Sequence, residues 1–96
     1  MNPKDYRVVH REKSRWFFIK LGQGKAAYIK YTRFDDIISV DHTYTPEEFR
    51  GQGLAKKLML AVVEYVKSNK LKIIPNCSYA QYFFQKNPEY KDLIAK

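Results

Sequence analysis

One cysteine among 96 residues, Cys77, excludes an internal disulfide and fits a reducing compartment. No apolar run is long enough to span a bilayer as a helix. Met1–Val9 lacks the apolar centre of a secretory leader, so the cytoplasm is the expected compartment. Linkers and internal repeats are missing too, and the length supports one modest core, so a single domain over 1–96 is expected. We expect no metal site. Acidic residues are the minority, with 10 Asp and Glu against 18 Lys and Arg, for a net charge of +8. Such an excess suits nucleic acid, an anionic membrane surface or a polyanionic small ligand. The cations are scattered over strands, loops and helix, which reads first as a solvated surface biased toward anions. No RNA- or DNA-binding motif is recognisable, so nucleic acid is not the expected partner, although strand aromatics could stack on bases. What is abundant decides the state of the chain: 45% hydrophobic and 16% aromatic residues specify a folded protein.

The N-terminal half reads as strands. Residues 6–12 and 15–21 are rich in β-branched and aromatic side chains, with Glu12-Lys13-Ser14 as the break. Trp16 and Phe18 fall on one face of the second strand, and Phe17, Ile19 and Leu21 on the other. A strand apolar on both sides is expected to be central and covered on each side. Gly22-Gln23-Gly24-Lys25 reads as a hairpin turn, Ala26–Arg33 as the next strand, and Asp35-Asp36 as a turn into Ile37–Thr45. This is a meander of antiparallel strands.

The chain is organised around its centre. The strand Ile37–Thr45 leads through Pro46–Phe49 into the glycine loop Arg50-Gly51-Gln52-Gly53-Leu54-Ala55, and the loop opens a helix. Leu54, Leu58, Ala61, Val62, Tyr65 and Val66 recur at three- and four-residue spacing, which predicts one apolar stripe ending near Ser68-Asn69. A helix start offers unpaired N–H groups and partial positive charge, and glycines let the backbone approach an anion closely. Lys56 and Lys57 run against the helix dipole in its first turn, which makes sense beside something anionic. By itself the Gly-x-Gly motif reads first as a surface turn; its place between strand and helix raises the binding reading.

Leu71–Pro75 follows a helical crossover and should lie parallel to the strand at 37–45. Ser78 is expected to cap a helix Tyr79–Lys86, packed inward through Tyr79 and Phe83 with Tyr82 and Phe84 as further candidates. Asn87-Pro88 breaks it, and Pro88 starts a last short helix ending near Ile94.

Arg50-Gly51-Gln52-Gly53-Leu54-Ala55 resembles the Gln/Arg-x-x-Gly-x-Gly/Ala signature of the GNAT N-acetyltransferase superfamily. His42-Thr43, Pro46, Leu58, Ile74-Pro75-Asn76-Cys77-Ser78 and Pro88-Glu89-Tyr90 extend the likeness to the short single-domain GNAT-like proteins, from Lys25 onward. The resemblance implies a truncated GNAT fold of the α+β class: an antiparallel meander, then strand, glycine loop, helix, strand and helix. It implies acetyl-CoA as donor, its pyrophosphate on Arg50, Gly51, Gln52, Gly53, Leu54, Ala55 and Lys56. Backbone groups of Thr43, Tyr44 and Thr45 would hold the pantetheine arm and polarise the thioester. The implied activity is acetyl transfer to a primary amine, on a small molecule or a protein lysine, by a monomer or weak dimer. A non-catalytic acyl-CoA binding or sensing module is the alternative, and a small basic nucleic-acid-binding domain the third. Longer members carry two additional N-terminal helices that shape the amine site, and their lack here implies an open acceptor site.

Two residues are candidates for chemistry. His42, with an ordinary pKa of about 6.5, suits a general base. The competing reading is a structural strand residue, because Ile38, Val40 and His42 share parity and hence a face. Cys77 precedes a helix, whose N-terminus lowers a thiol pKa below its usual value of about 8.5, so it suits an acetyl-accepting nucleophile. It reads equally as a small buried hydrophobe. His10 is read as structural, and Glu47 and Glu48 as a capping box opened by Thr45. The superfamily's usual acid is a tyrosine in an Asn-x-x-Ala-x-x-x-Tyr pattern; counting four from Ala80 reaches Phe84, which donates no proton.

Overall fold

The computed structural model describes residues 6–96, so most of the leader reading at Met1–Val9 lies outside the described residues. Four strands, β1 (Val8–Arg11), β2 (Trp16–Gly22), β3 (Lys25–Phe34) and β4 (Ile37–Tyr44), form the expected antiparallel meander. A 3₁₀ turn at Glu47–Phe49 and the glycine loop lead into helix α1 (Leu54–Ser68). The crossover returns the chain to β5 (Lys72–Pro75), which pairs parallel to β4 and completes a sheet ordered β1-β2-β3-β4-β5. Helix α2 (Ser78–Lys86) and a 3₁₀ segment at Pro88–Leu93 follow. The amide of Ala95 then donates to the Ile73 carbonyl at 2.8 Å, extending the β5 edge. No helix among the described residues is long and apolar enough to cross a membrane.

Burial holds α1 in place. Leu54, Leu58, Met59, Val62, Val63 and Val66 are buried along it, and each such side chain contributes about 1.5–3 kcal/mol as an upper estimate. They pack on Phe17 and Ile19 of β2, Ala27, Ile29 and Tyr31 of β3, and Ile38 and Val40 of β4. Helix α2 adds Ala80, Phe83 and Phe84 to the same core, while Tyr82, an expected candidate for the interior, stays 53% exposed.

Both helices thus contribute to one core on one face of the sheet. The expectation that β2 is covered on each side is not met among the described residues. Phe18 is nonetheless only 4% exposed, because Trp16, Tyr28 and the Arg11 side chain shield it laterally within the face itself.

A β-bulge in β4 is the second departure. Tyr31 pairs with Val40 and Lys30 with His42, so Asp41 is an additional residue opposite one link of β3. The parity placing His42 with Ile38 and Val40 therefore fails: Val40 is buried in the core and His42 is exposed on the other face, beside Lys30. Asp41 is fixed by hydroxyl donors from Thr32 at 2.6 Å and Ser39 at 2.7 Å, and by the Asn76 amide at 3.3 Å. Burial alone would raise its pKa; these donors and the nearby His42 outweigh it and lower the carboxyl below its usual value.

Candidate functional site at the glycine loop

The loop joins the end of β4 to the start of α1 in a conformation that depends on glycine. Gly51 and Gly53 have φ of 86° and 78°, and Gly53 is the N-cap of α1 in the left-handed region. No side chain caps that helix start and no acidic residue lies in its first turn. Lys56 and Lys57 are exposed there. A hollow of about 210 Å³ sits against the loop, lined by Thr45, Phe49, Arg50, Gly51, Gly53, Leu54, Ala55, Lys56 and, from α2, Tyr79. The Arg50 side chain folds back, donating from Nε to the Thr45 carbonyl at 3.0 Å, and so braces the loop against the strand. Gln52 is exposed and does not line the hollow.

The preceding turn departs from expectation. Its N-cap is Pro46 and no side chain caps it, so Thr45 and Glu48 do not form a capping box. Proline has no side-chain acceptor and arrives with an extended ψ of 144°, which starts the turn without one. Glu48 pairs instead with Lys25 at the start of β3.

Beside the hollow, the ends of β4 and α2 meet. The Thr43 Oγ1 and Cys77 Sγ atoms are 3.4 Å apart. Thr43 pairs with buried Ile29, so it faces the helices, whereas its neighbours His42 and Tyr44 face the other way. The structure therefore brings Thr43 and Cys77 together and places His42 on the opposite side of β4 from both. Cys77 also serves the fold. This residue, and not Ser78, is the N-cap of α2, with extended backbone and Sγ accepting from the Ala80 amide at 3.4 Å. Ser78 is the first helical residue and cannot also be its cap.

Tyr79 is the residue that sequence reasoning assigns only to packing. It is half-buried and lines the hollow two positions after Cys77. Burial, then the proximity of Tyr82 and Cys77, push its pKa above the ordinary tyrosine value. Helical spacing is what could have revealed it, since a residue in the first turn after Cys77 points back toward the strand end. Phe84, at the place of the superfamily's acid, is buried. His10 is committed to packing, stacked on Phe17 at 3.9 Å with Nε2 2.6 Å from the Tyr31 hydroxyl.

Comparison with known proteins points to one family and one fold. The profile described as GCN5-related N-acetyl-transferase matches residues 16–93. The NATD1 protein of Danio rerio is 36% identical over 84 residues, covering 85% of this chain and 76% of its own length. Human NATD1 is 33% identical over 84 residues, covering 85% of this chain and 74% of its own. The solution structure of a GCN5-like protein from Staphylococcus aureus superposes with a TM-score of 0.77 at 36% identity, covering 97% of this chain and 91% of that one.

Proposed function

The chain belongs to the GCN5-related N-acetyltransferase family, and from that premise we propose that it transfers acetyl from acetyl-CoA to a primary amine. The observation that carries this reading is the convergence of the glycine hollow with the Thr43–Cys77 pair at one end of β4. The pyrophosphate would rest on the backbone of Gly51–Ala55 with Lys56 beside it, where N–H groups and helix dipole favour negative charge. The pantetheine arm would then run along Thr45, Tyr44 and Thr43, bringing the thioester toward Cys77. A backbone N–H in this stretch, aimed at the developing oxyanion, is worth roughly 2.7–4 kcal/mol of barrier.

Two routes fit these residues. In direct transfer, the neutral amine attacks the thioester carbon, CoA leaves as thiolate, and the proton shed by the nitrogen passes to that thiolate or to water. In the two-step route, the Cys77 thiolate takes the acetyl group, CoA departs, and the amine then attacks the acetyl-cysteine. We favour direct transfer. Cys77 is already engaged as a cap and with Thr43, and His42, on the far side of β4, would act as base only for an amine arriving from that side. Intact-mass analysis after mixing with acetyl-CoA decides: no adduct, with turnover retained in Cys77→Ala, is the expected result, and one added acetyl group on Cys77 would establish the other route.

Phe84, buried where the superfamily's acid belongs, favours a second reading, an acyl-CoA binding or sensing module without turnover. Calorimetry with acetyl-CoA together with a turnover assay over polyamines, amino acids and lysine peptides separates the two. Low, broad activity is expected from an open acceptor site, in a cytoplasmic setting; tight binding with no turnover of any amine would establish the sensing module.

A further inference from the structure

The sheet face turned away from α1 and α2 plays no part in holding the helices, yet it is not an ordinary solvated face. Phe18, Trp16, Tyr28 and Tyr44 form a continuous row across β2, β3 and β4, with successive ring centroids 4.7, 5.7 and 5.5 Å apart. Cations sit on the row. The Arg11 guanidinium lies 5.4 Å from the Phe18 centroid, and the Lys30 ammonium is 5.6 Å from that of Trp16 and 5.8 Å from that of Tyr28. Two hollows adjoin Trp16. One, of about 510 Å³, passes Arg11, Phe18, Lys20 and Lys25; the other, of about 470 Å³, passes Tyr28 and Tyr44 to Glu48. They share Trp16, Gly24, Lys25 and Ala26, so together they make one groove across the strands. The Trp16 indole N–H is shielded from solvent and has no hydrogen-bond partner among the described residues.

The net charge of this groove is positive. Arg11, Lys20 and Lys25 line it and Lys30 lies over its rings; Glu48 lines it too but is matched by Lys25, and nearby Asp41 is held by Thr32, Ser39 and Asn76. We propose that the groove binds single-stranded nucleic acid, with unpaired bases stacked on the Trp16–Tyr28–Tyr44 row and the phosphates on Lys20, Lys30 and Arg11. Every base has a π-face, so such a row accepts a strand without reading its sequence, and the cations follow the backbone. A second copy of the chain is a poorer occupant, since a two-fold interface would set this cationic face against itself. An anionic bilayer is poorer as well, because here the rings line hollows, whereas insertion needs side chains that protrude. This inference does not depend on the glycine loop or on any acetyl transfer.

Trp16 is the single tryptophan, so its emission reports directly from the proposed site. Titrating the whole protein with ten-nucleotide oligo-U and, separately, oligo-dT at low salt should quench that emission and raise the anisotropy of labelled oligonucleotide in parallel; comparing the two separates RNA from DNA. Affinity should fall with salt, and Lys20→Ala and Lys30→Ala should each lower the log–log slope by about 0.7. Trp16→Ala and Tyr28→Ala should each weaken binding at least about fivefold, and Trp16→Phe should restore most of it. Tyr44→Ala, at a residue 45% exposed, gives a variant that folds normally and should also bind more weakly. Thermal melting confirms folding in each case. The proposal is overturned if emission is unchanged up to tens of micromolar oligonucleotide, or if duplex binds as well as single strand. It is overturned equally if the ring variants bind as wild type, or if anionic vesicles or self-association quench Trp16 while oligonucleotide does not.

Discussion

The two faces of the sheet solve burial differently. On one, aliphatic side chains of α1 interlock with Ile19, Ile29, Ile38 and Val40, all at 0% exposure. On the other, aromatic rings shelter one another and cations lie over them, leaving Tyr28 half-buried and Tyr44 open to solvent. The first arrangement needs a second layer and yields stability. The second needs none, but its ring faces remain available to a ligand, so the same sheet divides into a structural side and a recognition side.

Truncations sharpen that division most. Leu58→Ala, at 0% exposure under α1, should cost about 2–5 kcal/mol in urea unfolding through lost transfer energy and a cavity. Tyr44→Ala on the other face should stay within about 0.5–1 kcal/mol; an equal loss would show that the open face is a second core. Next in size is the loop. Gly53 sits at φ 78° with open space where a Cβ would go, so Gly53→Ala should destabilise by about 1–2 kcal/mol through backbone strain alone. Gly53→Glu adds charge where the pyrophosphate belongs and should abolish acetyl-CoA binding in a folded protein; unchanged affinity would remove the loop from the proposed site.

Smaller still is the cap of α2. Cys77→Ala should cost about 0.5–2 kcal/mol, while Cys77→Ser, whose hydroxyl also accepts from the Ala80 amide, should melt close to wild type. The least effect is in alkali. Burial, aided by Tyr65 and Glu12 and opposed by Arg15 and Arg33, raises the Tyr31 pKa to about 12. A raised folded pKa means that Tyr31's contribution is complete below about pH 10 and is lost as pH rises toward 12. Tyr31→Phe should flatten that alkaline limb, as denaturant melts at pH 9, 10 and 11 would reveal.

Residues from Ile37 to Asn69 are legible because three independent signals agree there: strand composition, paired glycines and a 3.6-residue apolar stripe. The parallel return of β5 follows from the crossover rule alone. The cap of α2 lies one residue before the expected Ser78, which is the better capping type; sulfur accepts hydrogen bonds weakly and leaves little trace in sequence. The double covering of β2 fails for another reason. Apolar residues at alternate positions report burial, and burial of Phe18 is achieved sideways by Trp16, Tyr28 and Arg11. Tyr79 reads as packing because an aromatic ring suits a core as well as a hollow; only its place in the first turn after Cys77 aims it at the strand end.

The bulge at Asp41 makes the molecule sensitive to counting as well as to chemistry. Downstream of it, the extra residue sets the phase of β4, so Thr43 meets Cys77 while His42 and Tyr44 look outward. Changing Asp41 to another residue keeps that phase. Removing it leaves Val40 and His42 consecutive, opposite the consecutive residues Tyr31 and Lys30, so the ladder closes without a bulge and His42, Thr43 and Tyr44 keep their faces. Removing Thr43 instead is a true one-residue slip, which exchanges faces and turns Tyr44 toward the helices. Two in-frame deletions two positions apart thus have opposite outcomes: one is absorbed by the bulge, and the other is felt on both faces of the sheet.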